Sequence, residues 1–180
     1  MVLIIDAEIT LEQIDLKHSE GVFELASANR EHIGEWMPWI IHMQSVEFIQ
    51  NFSIGSNQRN KDGNEFAFVI LENGKIVGRI GVYKIDNQNK TGEIGYWIGE
   101  KVQGKGIVTR SCEGLIDFCF DRLNLNRVEI RCAVENVKSQ RIPERLHFEQ
   151  EGILRQAEWL HNRFSDLRLY SMLRQDWRNR

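Results

Sequence analysis

Cysteine and proline are scarce in this chain of 180 residues, which holds three of the first and two of the second. An odd cysteine count with no C-x-x-C pair argues against a disulfide framework and against structural zinc. The five histidines, His18, His32, His42, His147 and His161, form no H-E-x-x-H pattern, so no metal site is expected. Cys112 and Cys119 stand seven apart on one face of a helix and read as small buried hydrophobes rather than nucleophiles. No apolar run approaches the roughly eighteen residues of a membrane span. There is no basic block and the net charge is −3, so nucleic acid is not an expected partner. The opening "MVLIIDAEIT" carries acidic residues where a secretory leader carries basic ones, which points to the cytoplasm. In that compartment the "NFS" sequon at Asn51 has no consequence. Internal repeats, low-complexity tracts and linkers are also missing. What remains is one domain over residues 1–180, long enough to bury a core.

What is present is patterned. "AEITLEQID" alternates as a strand. Residues 18–36 read as one or two helices whose apolar side holds Phe23, Leu25, Ala26 and Ile33. "SVEFIQNF" reads as a helix capped by Ser45, and "SIGSNQRNKDGN" as a polar loop. "EFAFVILENGKIVGRIGVYKI" is two β-rich runs joined by Asn73–Gly74, a hairpin signal. "TGEIGYWIG" continues the meander. After a glycine turn comes a helix to about Leu123, then the strand "NRVEIRCAV", the short helix "VKSQRIPERL", and two late strands, "FEQEGILRQAEWL" and "LRLYSML". This order predicts an α+β fold with a mixed, mainly antiparallel sheet of about six to seven strands.

The glycine turn, "KVQGKGIVTR" at residues 101–110, joins a strand to a helix. Gly104 and Gly106 allow the backbone to approach an anion closely, Lys105 adds positive charge, and the helix that follows adds its dipole. The P-loop pattern is absent, and the dinucleotide fingerprint lacks its third glycine, Thr109 standing there. From the glycines alone, an anion cradle and a plain capping turn are equally open.

The surrounding residues resemble a family. "GYWIGEKVQGKGIVTRS" is similar to motif A of the GNAT superfamily of acyl-CoA N-acyltransferases, Arg/Gln-x-x-Gly-x-Gly/Ala, with Gln103 first and Gly106 fourth. Val108 departs from the usual Gly or Ala, as is familiar in the RimJ/RimL-like branch, which acetylates the N-termini of ribosomal proteins. "ENVKSQRIPERLHF" resembles the family's Asn-x-x-Ser helix. "EGILRQAEWL" resembles the branch's late strand, and "EWMPW" its early Trp-x-Pro-Trp element. These matches span nearly the whole chain.

The resemblance implies a GNAT fold with helices on both sheet faces and splayed central strands. It implies that the backbone of Gln103, Gly104, Lys105, Gly106, Ile107, Val108 and Thr109 binds the diphosphate of acetyl-CoA. Ile98 and Asn136 would meet the pantetheine arm. Glu158 would be the general base and amine anchor, and Ser139 the acid or hydrogen-bond donor to the leaving sulfur. Glu93 is a second candidate base. Trp36 and Trp39 either wall the acceptor pocket or pack in the core. A homo-oligomer would be similar to the branch. The expected activity is direct acetyl transfer in a ternary complex to a primary amine, foremost a protein N-terminus. Alternatives are a polyamine or aminoglycoside acceptor, an idle acyl-CoA sensor, or a phosphate-binding scaffold.

Two positions are expected to disturb the site. Pro143 should make its helix shifted or irregular near Ser139. His147, where the family commonly has glycine, should be strained if its backbone is left-handed.

Overall fold

The computed structural model describes residues 1–179. In chain order, β1 (Val2–Ile4) and β2 (Ile9–Gln13) lead into α1 (Ser19–Ala28), α2 (Arg30–Gly34) and α3 (Val46–Lys61). The strands β3 (Phe66–Glu72), β4 (Lys75–Asp86) and β5 (Thr91–Ile98) form a meander. Then come α4 (Ile107–Asp121), β6 (Arg127–Ala133), α5 (Val137–Arg145), the long pair β7 (Glu149–Leu160) and β8 (Arg163–Leu173), and the short α6 (Arg174–Arg178). The strands make one open sheet in the order β1-β2-β3-β4-β5-β6-β8-β7. Neighbours are antiparallel except β5 and β6, which run parallel.

Local chemistry explains the centre of this sheet. Asn73 and Gly74 both take positive φ, 49° and 78°, as a two-residue hairpin between twisted strands requires. Alternation then sends Phe68, Ile70, Ile80, Val82 and Ile94 to one face, where Cys112, Leu115, Ile116 and Cys119 of α4 cover them. The other face buries Ala67, Val69 and Trp97 against Val22 and Ala26 of α1, Ile33 of α2 and Ile49 of α3. Helices therefore lie on both faces, and the cysteines of α4 are core residues.

Three expectations need correction. The sheet has eight strands rather than six or seven, because Val2–Ile4 pairs with Thr10–Glu12 after a turn in which the Asp6 carboxylate accepts from the N–H groups of Glu8 and Ile9. "SIGSNQRNKDGN" is not a loop, since α3 runs on through Lys61. Its buried stripe is Ile49, Ser53 and Ser56, a helical spacing filled by serine, and the Ser53 hydroxyl is satisfied by the carbonyl of Ile49. Helix α5 also runs through Pro143 to Arg145. Proline removes one helical donor only, and the acceptor it strands, the carbonyl of Ser139, receives a hydrogen bond from the Tyr96 hydroxyl at 3.1 Å. The helix then closes with His147 at φ 59°, its N–H bonded to the carbonyl of Glu144 and that of Phe148 to the carbonyl of Pro143. That is a Schellman ending with histidine in the glycine place.

The feature that positions the site is a parting of the sheet. β5 and β6 pair only over Thr91–Glu93 and Arg127–Glu129. Beyond those residues each strand keeps its outer neighbour, β4 or β8, and the two diverge.

Candidate active site

A cavity of about 450 Å³ opens where the strands part. Its lining holds Ile98, Gln103, Gly104, Gly106, Ile107, Val108, Thr109, Asn136, Ser139 and Trp36, most of the residues singled out from the sequence. Lys105, Trp39, Glu93 and Glu158 are outside that lining.

The glycine turn is built as its composition requires. Gly104 and Gly106 have φ of 79° and 74°, and a Cβ added to either would meet nothing within 4 Å. The space in front of the turn is thus open, and a side chain there would intrude into it. Gly106 is the N-cap of α4, without a capping side chain and with no acidic residue in the first turn. The donors at this helix end are left for an anion. Val108 is buried in the core of α4, so a bulkier residue than Gly or Ala is accommodated there. Lys105 points elsewhere, its Nζ 3.6 Å from Glu72 on β3. The cations that do line the cavity are Lys138, Arg141 and Arg145, all on α5. The Gln103 amide lies between two of the walls, donating to His32 Nε2 at 2.7 Å and accepting from Lys138 Nζ at 3.3 Å.

Asn136 caps α5, its Oδ1 accepting from the N–H of Ser139 at 3.0 Å. The Ser139 hydroxyl donates to Tyr96 Oη at 3.2 Å and lies 3.3 Å from Cys132 Sγ. Burial pushes the Tyr96 hydroxyl well above its ordinary pKa and the Cys132 thiol up to about 11. Burial raises Cys112 and Cys119 as well, so all three thiols stay protonated and none is a ready nucleophile.

The other side of the sheet carries the carboxylates. Register places Glu93 opposite Glu129, Glu129 opposite Ser171, and, further along β8, Ser165 opposite Glu158. Side chains two apart share a face, so Glu158 and Glu93 stand on the same side. Their states differ. Glu93 is engaged by Lys84 at 3.0 Å and Arg131 at 3.4 Å. Glu158 is half-buried and makes no hydrogen bond or ion pair among the described residues. Its burial and then the charge of Glu93 raise its pKa, with Lys84 opposing. The tip of the β7–β8 hairpin reaches the end of α2, His161 Nε2 donating to the carbonyl of Glu35 at 3.2 Å. Next to Glu35, Trp36 lines the cavity together with Met37. Trp39 instead packs between Phe48 and Trp97, with ring centroids 6.4 and 6.1 Å away, which is its core reading.

Tyr96, His32, Lys138, Arg141 and Arg145 escaped the sequence reading. Each reaches the cavity from an element that only the fold brings there.

The residues present fit acetyl-CoA as a substrate. The open glycine cradle and the cations of α5 suit its phosphates, and the apolar wall of Ile98, Ile107 and Trp97 suits the arm. Comparison with known proteins agrees. The sequence profile of the acetyltransferase (GNAT) domain matches residues 8–149. YdaF of Bacillus subtilis (strain 168), a candidate ribosomal N-acetyltransferase, is 34% identical over 174 residues, which cover 96% of this chain and 95% of that one. The solved structure of RimL, a ribosomal L7/L12 α-N-protein acetyltransferase in complex with coenzyme A, superposes with a TM-score of 0.94 at 25% identity, covering 98% of this chain and 99% of that one. The microcin C7 self-immunity acetyltransferase MccE, solved with acetyl-CoA and AMP, gives a TM-score of 0.91 at 33% identity over 94% of each chain.

Proposed function

This chain belongs to the GNAT acetyltransferase family and is an acetyl-CoA-dependent N-acetyltransferase; from that premise we propose that its acceptor is the α-amino group of a protein N-terminus, foremost that of a ribosomal protein. The observation that carries this reading is Glu158, a half-buried carboxylate that, among the described residues, no cation pairs directly and whose pKa burial and the Glu93 charge raise. Around it Glu93 is matched by Lys84 and Arg131, and Glu129 and Glu151 by Arg127. Such a face suits one ammonium group and does not suit a polycation such as spermidine or an aminoglycoside. An α-amino group has a pKa of about 7.7–8.0 and is partly neutral near pH 7, so a carboxylate of raised pKa is base enough.

Bound acetyl-CoA supplies the acetyl thioester. The backbone of residues 103–109 holds its diphosphate, Lys138 and Arg141 add charge, and Asn136 and the unladdered edge of β5 at Ile98 meet the arm. Glu158 anchors the amine and takes one of its protons as nitrogen bonds to the acetyl carbon. Ser139 donates a hydrogen bond to the sulfur as it departs with the electron pair of the broken C–S bond. Trp36 forms part of the acceptor wall. The same reading takes residues 1–180 as one domain that acts in the cytoplasm as a homo-oligomer, a state that light scattering reads directly.

The test is thiol release from acetyl-CoA across peptides beginning with serine or alanine, lysine-bearing peptides, polyamines and aminoglycosides, for the natural chain and for Glu158→Gln. Release with N-terminal peptides that collapses in the variant is the expected result. Release with polyamines alone would overturn the acceptor assignment. Tight binding of acetyl-CoA with no release from any acceptor would favour a sensor.

A further inference from the structure

Pro143 leaves one backbone acceptor to be accounted for. In an α-helix the N–H of residue 143 would bond to the carbonyl of residue 139, and proline has no N–H. The carbonyl so released is that of Ser139. The Tyr96 hydroxyl donates to it at 3.1 Å, and the Ser139 hydroxyl donates to the Tyr96 oxygen at 3.2 Å. Tyr96 has one proton and directs it at the carbonyl, so toward the serine hydroxyl it can only accept. The Ser139 hydrogen therefore points at Tyr96, and the Cys132 thiol, 3.3 Å away, becomes the donor to the serine oxygen. With Asn136 on the N–H of Ser139, no polar group of that serine lacks a partner.

We infer that Tyr96 is a positioning residue for Ser139, recruited to that role by Pro143. The inference rests on the reading of Ser139 as hydrogen-bond donor to the leaving sulfur. A serine hydroxyl otherwise samples three staggered positions and competes for any nearby carbonyl. The carbonyls such a hydroxyl would reach, those of Glu135 and Asn136, already accept from the N–H groups of Val137 and Gln140, and the serine hydroxyl donates to Tyr96 instead. The oxygen is held between Tyr96 and Cys132, at the wall of the cavity where a thioester would lie. Only the hydrogen must turn when a thiolate forms. The proline thus converts a helix residue with ordinary backbone bonding into one whose hydroxyl is set from outside the helix, by a strand 43 residues earlier in the chain.

The test is a double-mutant cycle on kcat for thiol release, using the acceptor peptide that the panel identifies. Tyr96→Phe keeps the ring and removes the hydroxyl. It is expected to lower kcat roughly tenfold, as loss of orientation without loss of a reacting group does, while KM for acetyl-CoA stays within about twofold. In a Ser139→Ala background the same replacement is expected to change kcat no further, because the group it positions is gone. If Tyr96→Phe alone does not fold, Pro143→Ala takes its place: it gives the serine carbonyl a helical N–H, releases the Tyr96 proton from it, and is expected to lower kcat when Ser139 is present and to change it no further in Ser139→Ala. Unchanged kcat in Tyr96→Phe, beside a fall in Ser139→Ala, would overturn the inference and leave the serine reading standing. Additive losses would overturn it too, making Tyr96 independent of Ser139. No loss in Ser139→Ala would sink the serine reading itself, and the inference with it.

Discussion

Glu158 titrates under three influences: burial and the Glu93 charge push its pKa up, and Lys84 pulls it back. A base works in its deprotonated form, so kcat/KM should fall as the pH drops through that raised value, starting above the ordinary glutamate range of about 4.3. Glu158→Gln is expected to flatten this acidic limb and to lower kcat by about 10²–10³-fold. Lys84→Met should move the limb to higher pH and Glu93→Gln to lower pH, since each removes one of the opposing charges; pH–rate profiles of the three variants check all of this. His147 makes a separate prediction, of stability. With its backbone at φ 59° in a Schellman ending, His147→Gly is expected to stabilise the chain by about 0.5–1 kcal/mol in urea unfolding. The residues legible in the sequence were those with a fixed local pattern, such as Gln103, Gly104, Gly106 and Ser139. Tyr96 had no such mark. Its partner Ser139 lies 43 residues away and His32 reaches Gln103 across 71, separations that no motif spans. Lys105 is the converse case, because a charge beside two glycines reads as a phosphate ligand, whereas folding brings Glu72 to it.

At the level of elements, the start of α4 and the parting of β5 from β6 divide the work between them. Gly106→Ala puts a methyl group into open space, so the fold should lose only the cost of a left-handed alanine, about 1 kcal/mol. The same methyl stands before the helix donors, and affinity for acetyl-CoA is expected to drop about tenfold or more. Calorimetric titration beside urea unfolding separates the two effects. The helices and strands with strong periodicity were legible, the Asn73–Gly74 hairpin above all. The second half of α3 was not, because its inward stripe uses Ser53 and Ser56, and serine next to glycine and asparagine looks like a loop until a neighbouring helix makes small residues useful. β1 was missed for a different reason. Three residues carry no period of their own, and the strand exists because β2 offers it an edge.

For the molecule as a whole, ligand binding should register as stability. At a hundredfold excess over Kd, acetyl-CoA is expected to add about 2.7 kcal/mol, or roughly 5–10 °C in Tm for a chain of this size. Thermal unfolding with and without the ligand reads the shift, and Gly106→Ala should reduce it. The geometry behind that shift has a further consequence. An ordinary open sheet has two borders, both at its outside. This one has four, since beyond Glu93 and Glu129 the facing sides of β5 and β6 are borders as well, set in the middle of the protein. A border of unmatched amides is a template for another chain's strand. With coenzyme A placed in the gap as proposed, the inner borders are covered. When the protein outnumbers its ligand, a second copy is expected to add itself there, so light scattering at high protein concentration should fall as acetyl-CoA is added.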